Sequence, residues 1–162
     1  MIQQQYTVPQ YSLIHGDLQL SNSMIDRNWN VTIIDPRGYF GKTLKYGLSD
    51  YDYGKLLYSV FGYDLFNYSR TFHIEKLQNG ELNFTIPRLP VGAACKEEMK
   101  KVFKPVHYMW MAVNWIGLAQ YIKNDPVKSV CAYYHGLSLA NQLINAYITN
   151  GDQPNFLFDS LL

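Results

Sequence analysis

The sequence predicts an α+β fold that is mainly α, with a small β-hairpin platform in front of a helical bundle. Two observations carry this. The first forty residues are short β-branched and apolar runs broken by Gly, Asp, Asn and Pro, a pattern of strands and loops. From Asp52 onward the apolar residues recur at helical steps. The 162 residues suit a single domain spanning 1–162. At 48% hydrophobic and 17% charged residues, the composition excludes a disordered chain.

Strands are expected at Tyr11–Ile14, Ser23–Asp26 and Val31–Ile34. A later hairpin pairs His73–Leu77 with Leu82–Ile86, because Asn79-Gly80 between them supplies a left-handed turn. Lys96–Lys104 and Val106–Lys123 read as two helices broken at Pro105. The last helix opens with Asp125 as cap and Pro126 in its first position, runs to about Asn150 and stops at Gly151. Along it Val130, Tyr134, Leu137, Asn141, Ile144 and Ile148 recur at three- and four-residue steps. That face is expected in the core, with Leu137 and Ile144 buried. Trp110, Trp115, Tyr133 and Tyr134 are expected there too.

Charge narrows the partners. Lys plus Arg number 14 against 13 Asp plus Glu, a net +1 that offers no field for nucleic acid or an anionic membrane. Val106–Ile122 is long and apolar, but it carries His107, Asn114 and Gln120 and falls short of the ~20 residues of a membrane span. It reads as a buried helix. MIQQQYTVPQ has no basic start and no apolar run, so no signal peptide is expected. With Cys95 and Cys131 isolated, a cytoplasmic chain with reduced thiols follows. His73, His107 and His135 lack zinc-site spacing and read as structural.

The chemistry lies between His15 and Gly38, which read IHGDLQLSN, a hairpin, then IIDPRG. If Arg27-Asn28-Trp29-Asn30 form the turn, Asp26 opposes Val31 and Ser23 opposes Ile34. Asn22 and Asp35 then face each other at the open end. An amide oxygen and a carboxylate come within reach of one cation, with Asp17 approaching from the preceding loop. Such oxygen ligands suit a hydrated Mg²⁺ that also takes phosphate oxygens.

H-G-D-x-x-x-x-N followed by I-D resembles the catalytic signature of the aminoglycoside phosphotransferase and choline kinase family, a branch of the protein-kinase-like fold. DYDYGKLL is similar to the family's D-L-A-x-L-L segment, and IDPRG with DYGKLLYSVFGYDLF looks most like kinase-like proteins associated with bacterial surface-polysaccharide genes. The resemblance implies the helical C-terminal lobe of that fold, with a catalytic loop at 15–22, a metal-binding DPRG at 35–38 and a bundle over about 52–150. It implies that Asp17 is the catalytic base or orienting carboxylate, and that Asn22 and Asp35 hold the Mg²⁺ bridging the phosphates of ATP or another NTP. His15 would support the loop, and Asp52 would anchor it and cap the following helix. The activity implied is transfer of a γ-phosphoryl group to a hydroxyl of a sugar, amino sugar, choline or similar metabolite. Gly16 stands where many protein kinases have Arg, and Pro36 where they have the Phe of D-F-G. Phosphorylation of a flipping activation segment is therefore not expected.

Fourteen residues precede His15, and they contain neither Gly nor Lys. The nucleotide-binding lobe is therefore expected outside these residues, in cis or in trans, which makes the chain a fragment, a split gene product or a degenerate kinase that alone would be inactive. The face under that lobe should be apolar and favour self-association. Two other readings are a non-catalytic, pseudokinase-like binding or assembly module, and a hydrolase using Asp17 and Asp35 as a metal pair. The second lacks a nucleophile motif.

Overall fold

The strands of the described residues form only two-stranded pairs, and the helices carry the core. The computed structural model of the chain describes residues 11–69 and 72–150. It is α+β with about 52% helix, so the mainly helical expectation holds. Three two-stranded antiparallel sheets lie among the described residues. β1 (Tyr11–Leu13) pairs with β4 (Tyr46–Leu48), β2 (Ser23–Ile25) with β3 (Val31–Ile33), and β5 (His73–Lys76) with β6 (Leu82–Thr85). β4 lies outside the strands expected from sequence.

The β2–β3 register differs from expectation by one residue. Ser23 faces Ile33, not Ile34, and Ile25 faces Val31. The Asp26 carboxylate is the reason. It accepts hydrogen bonds from the backbone N–H of Asn28 (2.8 Å) and Asn30 (2.9 Å) and from the Asn30 side chain (2.8 Å). These draw Asn30 into the ladder opposite Asp26, whose N–H reaches the Asn30 carbonyl at 3.1 Å. The turn shortens to Arg27-Asn28-Trp29, with Trp29 left-handed at φ 65°.

Helix α1 (Ser49–Tyr58) begins three residues before Asp52, so Asp52 lies inside it and does not cap it. A kink at Ser59–Tyr63, where Phe61 leaves helical geometry and Gly62 turns to φ 116°, joins α1 to α2 (Asp64–Ser69). α3 (Ala93–Val102) starts ahead of Lys96, and α4 (Pro105–Leu118) ends short of Lys123. The chain breaks between them as Pro105 requires: Lys104 donates its N–H to His107 Nδ1 (3.1 Å), closing the start of α4. α5 (Pro126–Asn150) starts with the Asp125 carboxylate accepting the Lys128 N–H at 2.9 Å, the cap expected from sequence. Gly151, expected as the stop, lies outside the described residues. No helix among the described residues is long and apolar enough to cross a membrane.

The core lies between α1, α4 and α5. Leu57, Phe66, Met111, Trp115, Cys131 and Ala132 are fully buried there, and Trp115 packs edge-on against Tyr58, Phe66 and His135. The face of α5 that enters it is not the one its periodicity suggested. Cys131, Ala132, His135, Leu139, Leu143 and Ala146 point inward, whereas Val130, Tyr134, Leu137, Ile144 and Ile148 are exposed, as is Tyr133. Close approach of α4 explains the choice. A Cβ on Gly136 would come within 2.7 Å of the Ile116 backbone nitrogen, so only the small-residue side of α5 can seat there.

Leu139→Ala, rather than truncation of Leu137 or Ile144, should therefore cost ~2–5 kcal/mol in denaturant unfolding. The core also carries a pH dependence. His135 is 6% exposed, and burial, helped by the Arg88 charge, pushes its imidazolium down to about 4. The folded pKa lies below the unfolded value of ~6.5, so the unfolded chain binds the extra proton between them. Stability from this site is complete above about 6.5 and falls as pH drops toward about 4. The urea midpoint of wild type should fall relative to that of His135→Phe as the pH drops through that window.

Candidate active site

One polar stripe of α1 holds the HGD loop. Asp52, Lys55 and Ser59 follow one another at three- and four-residue steps, so they share a face. Asp52 Oδ2 accepts the His15 N–H at 2.7 Å, and its Oδ1 accepts the Gly16 N–H at 2.8 Å. Lys55 Nζ lies 2.8 Å from Asp17 Oδ1. The Ser59 hydroxyl accepts the Leu20 N–H at 2.8 Å and donates to Asp64. Asp52 thus holds two adjacent amides of the loop.

His15 fastens the loop to the DPRG segment. Its Nε2–H donates to the Ile34 carbonyl at 2.9 Å, while Nδ1 accepts the Asp17 N–H at 3.3 Å. Both contacts require the neutral Nε2-protonated ring. The Arg37 N–H donates to the His15 carbonyl at 2.8 Å. Gly16 sits between these anchors at φ 78°, a left-handed conformation, with a would-be Cβ only 3.0 Å from Arg37 Cβ. A side chain there would be strained and would press on the DPRG turn. The Arg37 guanidinium lies over the Tyr39 ring, 5.1 Å from its centroid, and donates to Tyr51 OH at 3.2 Å.

Asp17 is half-buried, and both its oxygens have partners. Lys55 takes Oδ1, and Gln19 Nε2 donates to Oδ2 at 2.8 Å. Lys55 is itself buried, with Nζ 4.8 Å from the Tyr58 ring centroid. Burial pulls its ammonium below the ordinary lysine value, and the Asp17 contact opposes that pull. Tyr63, on the same side, is pushed up to about 12 by burial, with the Asp17 charge adding to it. Lys55 and Gln19 had no assigned role in the sequence. The readable signal for Lys55 was its place three residues after Asp52 on a helix gripping the loop.

Asn22 ends the short 3₁₀ turn Leu20–Asn22. Its Nδ2 donates to the Asp17 carbonyl at 2.9 Å, and its Oδ1 has no partner among the described residues. Its backbone carbonyl accepts the Ile34 N–H at 2.9 Å, so Asn22 lies opposite Ile34, one residue short of the expected pairing with Asp35. Asp35 follows at a left-handed φ of 59°, exposed, its carboxylate unpartnered among the described residues. An amide oxygen and a free carboxylate beside this turn fit a hard, hydrated cation. Among the described residues no three His, Cys, Asp or Glu side chains form a metal cage. Any cation here would keep other oxygen ligands.

His107, expected as structural, is buried, and its Nε2–H donates to Asp50 at 3.0 Å. Cys95 and Cys131 are both free thiols. No protein-family model, curated protein or solved structure matches this chain.

Titration with Mn²⁺ should broaden the amide resonances of Asn22, Ile34 and Asp35 before others, and Asp35→Ala should abolish the effect. Broadening centred elsewhere in the NMR spectrum would remove this pair as the cation site.

Proposed function

We propose that this chain is the helical, catalytic lobe of a protein-kinase-like phosphotransferase similar to aminoglycoside phosphotransferases and choline kinases. Its acceptor would be a hydroxyl of a sugar, amino sugar, choline or related metabolite. The supporting observation is the fastening of the HGD loop to the DPRG turn through His15, with Asp52 gripping both loop amides. Those bonds tie the loop that carries Asp17 and Asn22 to the segment that carries Asp35, and catalysis of this class rests on positioning and electrostatics.

Asp17 would receive the acceptor hydroxyl and take its proton. Lys55 and Gln19 fix the direction of that carboxylate. Asn22 Oδ1 and the Asp35 carboxylate would hold Mg²⁺. The Mg-nucleotide, when bound, supplies the phosphoryl group and neutralises charge developing on it. The nucleotide would be covered by a second lobe in cis or in trans. Consistent with that, Met24, Ile25, Val31, Ile33 and Ile34 leave the β2–β3 hairpin apolar and exposed.

The engagement of both Asp17 oxygens by Lys55 and Gln19 favours a second reading, a non-catalytic binding or assembly module.

A coupled assay with Mg-ATP over sugars, amino sugars and choline separates the two. Turnover by the 162-residue chain alone should be negligible. With a nucleotide lobe supplied, fused or as a separate chain, turnover should appear and fall ~100-fold or more in Asp17→Asn. Mg-ATP binding by the completed protein without any turnover would favour the module.

A further inference from the structure

α5 carries two apolar faces, and the core uses only one. On the other, Val127, Val130, Tyr134, Leu137, Asn141, Ile144 and Ile148 follow one another at alternating steps of three and four residues over three heptads. This is the a/d spacing of a two-stranded helical seam. All seven are exposed, Ile144 at 57% and Ile148 at 76%. They lie on the side of the helix opposite Cys131, His135, Leu139, Leu143 and Ala146, which fill the core. The seam is apolar but for one position. Asn141 falls at a, where a single Asn fixes two-stranded pairing and register by meeting its own symmetry mate.

Charge points the same way. Lys128 is the one Lys, Arg, Asp or Glu between Pro126 and Asn150, and it turns inward to the Asn67 carbonyl at 3.1 Å. The outer face of a 25-residue helix thus presents no charge to water. Solvated helix faces are ordinarily polar. Tyr133 and Tyr147, each over 40% exposed, flank the seam and widen it. Covering these nine side chains would remove roughly 700 Å² per copy, which doubles into the range of a standard stable interface.

We propose that α5 is the dimerisation helix of this protein, pairing in parallel with α5 of a second copy so that Asn141 meets Asn141 across a two-fold axis. A heptad stripe is self-complementary, as an isologous contact requires, and the core of each copy lies on the far side of its helix. This pairing is independent of the β2–β3 hairpin and of the proposed chemistry.

Sedimentation and light scattering of the full chain should give a dimer. Leu137→Glu and Ile144→Glu should each yield a monomer with unchanged helical circular dichroism. Asn141→Cys in a Cys95→Ser background should cross-link on oxidation. A monomeric wild type overturns the proposal, including one that dimerises only after removal of residues 151–162, which would assign the stripe to the chain's own last segment. So does a dimer that survives Leu137→Glu, or one dissolved instead by Ile25→Lys with Val31→Lys. A dimer lost in Leu137→Glu but not cross-linked at position 141 overturns the parallel register.

Discussion

The Asp52 carboxylate organises the loop side of this molecule. Two adjacent amides, those of His15 and Gly16, converge on its two oxygens. This is possible only because Gly16 turns through a left-handed conformation. Charge-assisted hydrogen bonds of this kind are stronger than neutral ones, and a bidentate pair fixes direction as well as distance. From that clamp the rest of the loop follows. His15 is carried to the Ile34 carbonyl, Asp17 to Lys55 and Leu20 to Ser59. Asp52 and Lys55 of α1, with Ser59 at its C-terminal end, thus hold three loop amides and the Asp17 carboxylate.

Lys55 shows what such a unit costs and what it gives. Burying an ammonium group is unfavourable unless a charge or ring compensates. Asp17 and the Tyr58 ring both do so. Asp17 is only half-buried, so the pair is screened in part, but removing it would leave the buried Lys55 ammonium with the Tyr58 and Tyr63 rings alone. The resulting rigidity suits a carboxylate that must keep a fixed direction, whether for phosphoryl transfer or for binding alone.

The two long helices express a different constraint. Trp115 is fully buried, and α5 must bring small residues to α4 to accommodate it. Cys131, Ala132 and Gly136 meet that need, with Leu139 and Leu143 completing the contact. The larger aliphatic and tyrosine side chains are thereby excluded to the outside of α5. Steric fit, rather than total hydrophobicity, selected which apolar face became core.

Much was legible in the residues alone. Asp125-Pro126 announced the start of α5, Asn79-Gly80 the late hairpin, and Pro105 the break before α4, because each acts through its own backbone geometry. The HGD loop and Asp35 could be placed near one another because a short hairpin must return on itself. What the sequence could not decide needed partners distant in the chain. The register of β2–β3 turned on where the Asp26 oxygens found donors, and β4 exists because β1 lies beside it. Lys55 gained its role only when α1 came under the loop. The buried face of α5 was open in sequence, since both sides are apolar, and periodicity favoured the wrong one. Only close packing against α4 distinguished them, because packing responds to the volume at each contact and periodicity records polarity alone.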